Sequence, residues 1–258
     1  MTYETLELST DDRGVLTVTL NAPERKNALS ARMMDELTHL ASHEGAQARA
    51  VVLRGAGDVF CAGGDLNWMK AQIAADRAGR MAEAKRLANM LGALNTMPRP
   101  LIGKIHGGAY GGGVGMACIC DVAIAAHGTR FGFTETKLGI IPATISPYVL
   151  ARMGEGRARQ VFMSARLFDA AEAERLGIVA RAVAAEDLDA AVEAEVAPYL
   201  KIAPGAVGRS KALARALGPR IDDEVIAATI ERLADAWESE EAEEGISAFL
   251  EKRPARWT

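Results

Sequence analysis

The sequence predicts an α/β fold, a wound core of ββα turns followed by a helical C-terminal piece. Three observations predict it. Apolar runs of strand length recur between helical stretches through the first half of the chain. Short turn signals such as GAGD and His127-Gly128 punctuate them. From about Ser146 onward the apolar spacing is almost entirely helical.

Taken in order, Gly14–Leu20 (GVLTVTL) alternates like a half-buried strand, and NAPERKNALS follows as a loop. Ser30 is placed to cap the helix ARMMDELTHLASHE. Ala50–Arg54 (AVVLR) reads as a buried strand. DVFCAGGDL then leads into one long helix from Trp68, ended by Met97, Pro98 and Pro100. PLIGKIHG is a third buried strand, followed by a glycine run and a short helix over Gly113–Ile119. VAIAAHGTRFGF gives two more strands. ARMGEGRARQVFMSA and AAEAERLG read as helices, with Gly177 as a C-cap. IVARAV is a strand. EDLDAAVEAEVAPYLKIA, PGAVGRSKALARALG and one long tail helix from Asp222 complete the chain. The organisation expected is a core over 1–195 and a helical region over 196–258, with no Pro- or Gly/Ser-rich linker between them.

Composition narrows the function. The chain has 258 residues, 49% apolar and 25% charged, enough for a sizeable core. A net charge of −4 argues against a nucleic-acid or anionic-membrane binder. No apolar run is long enough to span a bilayer, and MTYETLELSTDDRG lacks the pattern of a signal peptide. The three cysteines, Cys61, Cys118 and Cys120, have no partners at zinc spacing and read as free thiols of a reducing cytoplasm.

Common catalytic motifs are absent. Gly103-Lys104 is followed by Ile105, so there is no Walker loop; GGGVGM lacks the dinucleotide spacing; GxSxG and HExxH do not occur. Two glycine-rich stretches remain at strand exits, FCAGGD (Phe60–Asp65) and GGAYGGGVGMACICD (Gly107–Asp121). Small residues there let backbone N–H groups face a ligand, and two converging N–H groups make an oxyanion hole. The second stretch adds the dipole of the helix it opens. The alternative is two tight turns beside close helix–strand packing.

NAPERKNALS, FCAGGDL, GGAYGGGVGMACICD and RFGFTETKLGIIP, in this order and with the ending FLEKRPARW, resemble the enoyl-CoA hydratase/isomerase (crotonase) superfamily over nearly the whole chain. The resemblance implies a crotonase-like spiral of ββα units with a helical C-terminal oligomerisation region, and a homotrimer or dimer of trimers. It implies an acyl-CoA substrate whose CoA belongs to the substrate, with no separate cofactor and no metal. By the same resemblance the N–H groups of Gly64 and Gly112 hold the thioester carbonyl. Glu135 is then the general acid/base. A second glutamate of the family's hydratases maps onto position 115, where this chain has Gly115. That glycine marks either a missing carboxylate or room for a group of the substrate. GGDLNWMK, GGGVG and LGIIPATISPYV further resemble bacterial methylglutaconyl-CoA hydratase-like members.

The expectation is therefore a hydratase acting on a branched acidic 2-enoyl-CoA. A double-bond isomerase and a non-catalytic acyl-CoA-binding subunit are the alternatives. Arg25 and Lys26 pair with CoA phosphates in this reading or are solvated loop charges. Ala28, Ala62 and Leu66 resemble the adenine and pantetheine lining. Asp65 caps or braces the oxyanion loop. Phe249, Lys252 and Arg253 resemble a group that reaches a neighbouring subunit's CoA, or are a frayed basic tail. Trp68 and Met69 line the acyl pocket or pack the core, with Ser146 and Tyr148 as further pocket candidates. His106 is expected as a packed histidine, and Glu238–Glu244 as a solvated helix face.

Overall fold

A computed structural model describes residues 2–258. The chain opens with a hairpin, β1 (Leu6–Thr10) antiparallel to β2 (Val15–Leu20), with Leu6 opposite Leu20. Asp11 holds its turn by accepting from the N–H groups of Arg13 and Val15, both at 2.9 Å. The strand β1 is absent from the sequence reading because LELST is half exposed and carries no buried run.

Helices α1 (Ala31–Ser42) and α2 (Glu44–Gln47) then lead to β3 (Ala50–Gly55). Ser30 caps α1 as expected, accepting from Met33 N at 3.2 Å. The long helix expected from Trp68 is two, α3 (Leu66–Ala74) and α4 (Arg77–Thr96). Ala75 is extended and Asp76 starts a new helix, its carboxylate accepting from Gly79 N at 2.8 Å. A cap there satisfies an orphan donor, which the apolar period running across the break conceals.

The second half follows as β4 (Leu101–Ile105), β5 (Gly108–Tyr110), α5 (Gly112–Ile119), β6 (Val122–Ala126), β7 (Arg130–Gly132), α6 (Ser146–Met153) and α7 (Glu155–Phe162). After these come β8 (Phe168–Asp169), α8 (Ala170–Leu176), β9 (Arg181–Val183), α9 (Leu188–Val196) and α10 (Pro204–Leu217). The tail is two helices, α11 (Asp223–Trp237) and α12 (Glu240–Glu251). Ser239 breaks the expected single helix, its hydroxyl accepting from Ala242 N at 3.1 Å. Nor is Glu238–Glu244 solvated throughout. Glu244 is buried and takes the Arg253 fork at 2.7 and 3.0 Å.

A large sheet runs β1-β2-β3-β4-β6-β9, parallel from β2 onward, and a small one runs β5-β7-β8. Parallel strands covered on both faces read as continuous apolar runs, which is why AVVLR and LIGKI were legible. Val51, Leu53 and Leu101 face the main core, shared with α1, α4, α5 and α11; Val52, Ile102 and Ile124 face a second core closed by Leu188, Val192 and Val196 of α9. The early turns of the spiral lack a full second strand. Isolated bridges replace it, Leu29 with Gly64 and Cys61 with Ala109. These bridges set the two glycine-rich strand exits side by side. No helix among the described residues is long and apolar enough to cross a membrane.

Candidate active site

The two glycine stretches meet. Tyr110 N donates to Cys61 O at 3.0 Å and Cys61 N to Gly108 O at 3.1 Å. A side chain on Gly63 would lie 2.8 Å from Tyr110 O and 3.8 Å from Gly112 N. Gly63 also sits at φ +91°, a conformation that other residues rarely adopt. Beside it, the N–H of Gly64 has no acceptor among the described residues. The same holds for Gly112 N, the first N–H of α5. Unpaired backbone donors are costly unless water or a ligand takes them. Here two of them occupy adjacent strand exits, and one stands at a helix N-terminus, where the dipole favours negative charge.

Glu135 stands at the same place. It opens a 3-10 turn over Glu135–Leu138, and its Oε1 lies 3.0 Å from the point where a Gly111 side chain would begin. Gly111, at φ +48°, caps α5 and leaves that space clear. The residue as a whole is only partly buried, but Oε2 is shut off from solvent and has no hydrogen-bond partner among the described residues. Burial pushes its carboxyl up to about 7, and the N–H groups of Glu135 and Thr134 oppose this less strongly. A carboxyl that titrates near neutrality can both take and return a proton.

Of the two expectations for position 115, room for a substrate group is the one that the packing opposes. A methyl on Gly115 would lie 2.5 Å from Ile145 Cγ2 and 2.9 Å from Ile145 Cβ. The space that Gly115 leaves is thus filled by Ile145, itself 3% exposed, and is not open to a substrate group. Gly115→Glu should therefore lower stability by about 1–3 kcal/mol or more, from overpacking and a buried charge. Adding Ile145→Ala should recover part of that loss in urea midpoints. A single variant as stable as wild type would sink this account.

The remaining candidates divide. Asp65 caps α3, accepting from Asn67 N at 2.9 Å and Trp68 N at 3.1 Å. Trp68 and Met69 turn toward Gly64, with Trp68 Cε3 at 3.6 Å and Met69 Cγ at 3.8 Å from its would-be side chain. Trp68 is steadied by Nε1 donating to Glu83 at 2.8 Å. Ala62 N donates to Lys26 O at 3.0 Å, tying the Arg25–Ala28 loop to the Gly64 loop. Arg25 and Lys26 are exposed, Ala28 is buried and Leu66 is 49% exposed. A cavity of about 570 Å³ joins Arg25, Asp65, Asn67, Trp68, Gln72 and Glu83.

At the other end, Phe249 is 51% exposed and Lys252 is exposed, whereas Arg253 is engaged by Glu244 and Glu251. Tyr148 lines a separate cavity of about 1100 Å³ with Arg152, Lys211 and Arg215, and none of Gly64, Gly112 and Glu135 lines it. Ser146 Oγ donates to Ala143 O at 2.6 Å. The His106 ring bonds Gly57 O at 2.9 Å. Burial pushes the Cys61, Cys118 and Cys120 thiols up to about 12, so none is a nucleophile near neutrality.

Two residues that shape the site had no sequence signal of comparable strength. Ile145 is one. Asn27 is the other, fully buried at φ +52°. Its Oδ1 accepts from Ala22 N at 3.0 Å, and its Nδ2 donates to Ala56 O at 2.7 Å and Val59 O at 2.9 Å. That side chain pins the Arg25–Ala28 loop to the exit of β3. Asparagine's tolerance of positive φ was the available clue.

The model of the enoyl-CoA hydratase/isomerase family matches residues 10–258. A Mycobacterium bovis protein described as a probable enoyl-CoA hydratase is 34% identical, the match covering 100% of this chain and 99% of that protein. The crystal structure of an enoyl-CoA hydratase from Shewanella pealeana is similar with a TM-score of 0.80 at 35% identity, over 99% of this chain and 96% of that one. Pseudomonas aeruginosa AtuE is 38% identical with a TM-score of 0.78, over 98% of this chain and 99% of that one.

Proposed function

Since the chain belongs to the enoyl-CoA hydratase/isomerase family, we propose that it is an enoyl-CoA hydratase acting on a branched acidic 2-enoyl-CoA such as 3-methylglutaconyl-CoA. One observation carries the reading: two N–H groups without partners among the described residues, on Gly64 and Gly112, stand beside Glu135, whose buried Oε2 has none among them either. The N–H pair receives the thioester oxygen and stabilises the negative charge that develops there as water adds at C3. Glu135 as carboxylate takes a proton from the attacking water and delivers it to C2. With Ile145 closing position 115, no second carboxylate comes from that turn of α5. The acid group of the substrate then helps to hold the water, which is the reason for preferring a branched glutaconyl-type thioester.

The same reading has CoA entering as part of the substrate, past Arg25, Lys26, Ala28, Ala62 and Leu66, with no separate cofactor. Phe249 and Lys252 serve a neighbouring subunit's CoA in a cytoplasmic homotrimer or dimer of trimers. A second reading, a double-bond isomerase, is favoured by the Ile145 contact at Gly115, since one carboxylate is enough to move a proton between C2 and C4.

Enoyl-thioester absorbance separates the two on 3-methylglutaconyl-CoA, crotonyl-CoA and a 3-enoyl-CoA. Fast loss of absorbance on the branched acidic substrate is expected. A gain from the 3-enoyl-CoA, with no hydration of either 2-enoyl thioester, would replace the hydratase by the isomerase.

A further inference from the structure

The turn that carries Glu135 is seated on the last helix of the chain. α12 comes against the turn at backbone level at two glycines. A methyl on Gly245 would lie 2.5 Å from Leu138 C and 2.7 Å from Leu138 O. One turn earlier on α12, the carbonyl of Glu241 and the N–H of Ala242 occupy the space where a side chain on Gly139 would begin. Backbone contacts of this kind cannot yield as a flexible side-chain end can. Leu138 and Gly139 in turn close the 3-10 turn. Gly139 sits at φ +70° as its cap, and Ile140 N donates to Glu135 O at 3.2 Å. Any shift of α12 along its axis therefore moves the turn as a unit.

The seat of α12 is itself fixed at both ends. Ser239 caps its start. At its other end the chain folds back, with Arg253 forking onto Glu244 and Arg256 N donating to Glu244 Oε1 at 2.9 Å. Ala242 and Ile246, at 0% and 1% exposed, bury the face between.

We infer that α12 is a positioning element: through Gly245 on Leu138 and Gly139 on Glu241 it sets where the Glu135 carboxyl stands against the N-terminus of α5. The catalytic weight of this inference rests on the role given to Glu135 above, but the placement can be read without turnover. Burial is what raises the Glu135 carboxyl, opposed by the N–H groups of Glu135 and Thr134, so its midpoint follows its placement.

The experiment labels glutamate carboxyls with ¹³C and follows the resonance that disappears in Glu135→Gln. In Gly245→Ala its midpoint is expected to move by about half a pH unit or more, and kcat to fall about ten- to a hundredfold with KM little changed. Gly156→Ala, on a glycine with no neighbour within 4 Å, should match wild type in both. If Gly245→Ala does not fold, Glu244→Gln, which loosens the fold-back onto Arg253 and Arg256, should show a smaller shift in the same direction. A folded Gly245→Ala or Glu244→Gln with a lowered Tm but an unchanged midpoint and kcat makes α12 a stability element only and overturns the inference. If Glu135→Gln keeps full turnover, the role given to Glu135 fails, while the titration still decides whether α12 places it.

Discussion

Glu135→Gln is expected to lower turnover about 10²–10⁴-fold and, in the same variant, to raise stability above neutral pH. The two effects share one cause. The Glu135 carboxyl is buried with Oε2 unpartnered, and its pKa is raised from 4.5 to about 7. In the unfolded chain it ionises near its ordinary value. Between about pH 4.5 and 7 the folded protein therefore holds a proton that the unfolded chain has lost. Stability from this group is fully present below about 4.5 and is lost as pH rises through 7. The loss amounts to roughly 3 kcal/mol for a shift of that size. Gln has no proton to lose, so the variant should equal wild type at pH 4 and exceed it in Tm at pH 8. Because the hydration step uses the carboxylate, wild-type kcat/KM should rise with pH through about 7, and the residual rate of the variant should not. A variant that is no more stable at pH 8, or a wild-type profile flat between pH 6 and 8, would remove Glu135 from its assigned role.

Gly112→Pro should cost about 10²–10³-fold in kcat with little change in fold. Residue 112 is the first of α5, a position where proline is favoured because its missing N–H has no partner within the helix. The substitution thus removes one donor and puts the ring's Cδ where that N–H points. A β-carbon there meets the flexible end of Leu29, whose Cδ1 would be 2.8 Å away. Gly111, with φ +48° and ψ −114°, keeps a conformation that only glycine readily holds before it. Circular dichroism and Tm near wild type, with turnover lost, would confirm that the thioester oxygen sits at this nitrogen. Turnover within threefold of wild type would mean that Gly64 alone, or another donor, holds the thioester oxygen.

What the sequence revealed follows from what each feature depends on. The two glycine exits were legible because backbone chemistry demands small residues locally, and Glu135 because a motif surrounds it. The buried strands AVVLR and LIGKI showed themselves by composition. Ile145 did not, since its importance lies in meeting Gly115, thirty positions earlier, and no local spacing encodes that contact. The seat of α12 on Leu138 and Gly139 is hidden for the same reason. The breaks before Asp76 and Ser239 were missed differently. Both residues are sound N-caps, but the apolar period continues across them, and a period gives no sign of where a helix restarts.

The anion-holding part of this site is main chain. Gly64 and Gly112 would act through N–H groups that every residue but proline possesses, while Trp68 and Met69 supply the surrounding surface. Heritable change therefore reaches the two unequally. A point mutation in the surrounding residues redraws which acyl group fits, whereas the power to hold an enolate survives unless the path of the chain itself moves. Such a scaffold can drift between substrates without passing through an inactive ancestor. Glu135, the one catalytic group in the proposed mechanism that is a side chain, is where a single codon change would end the chemistry.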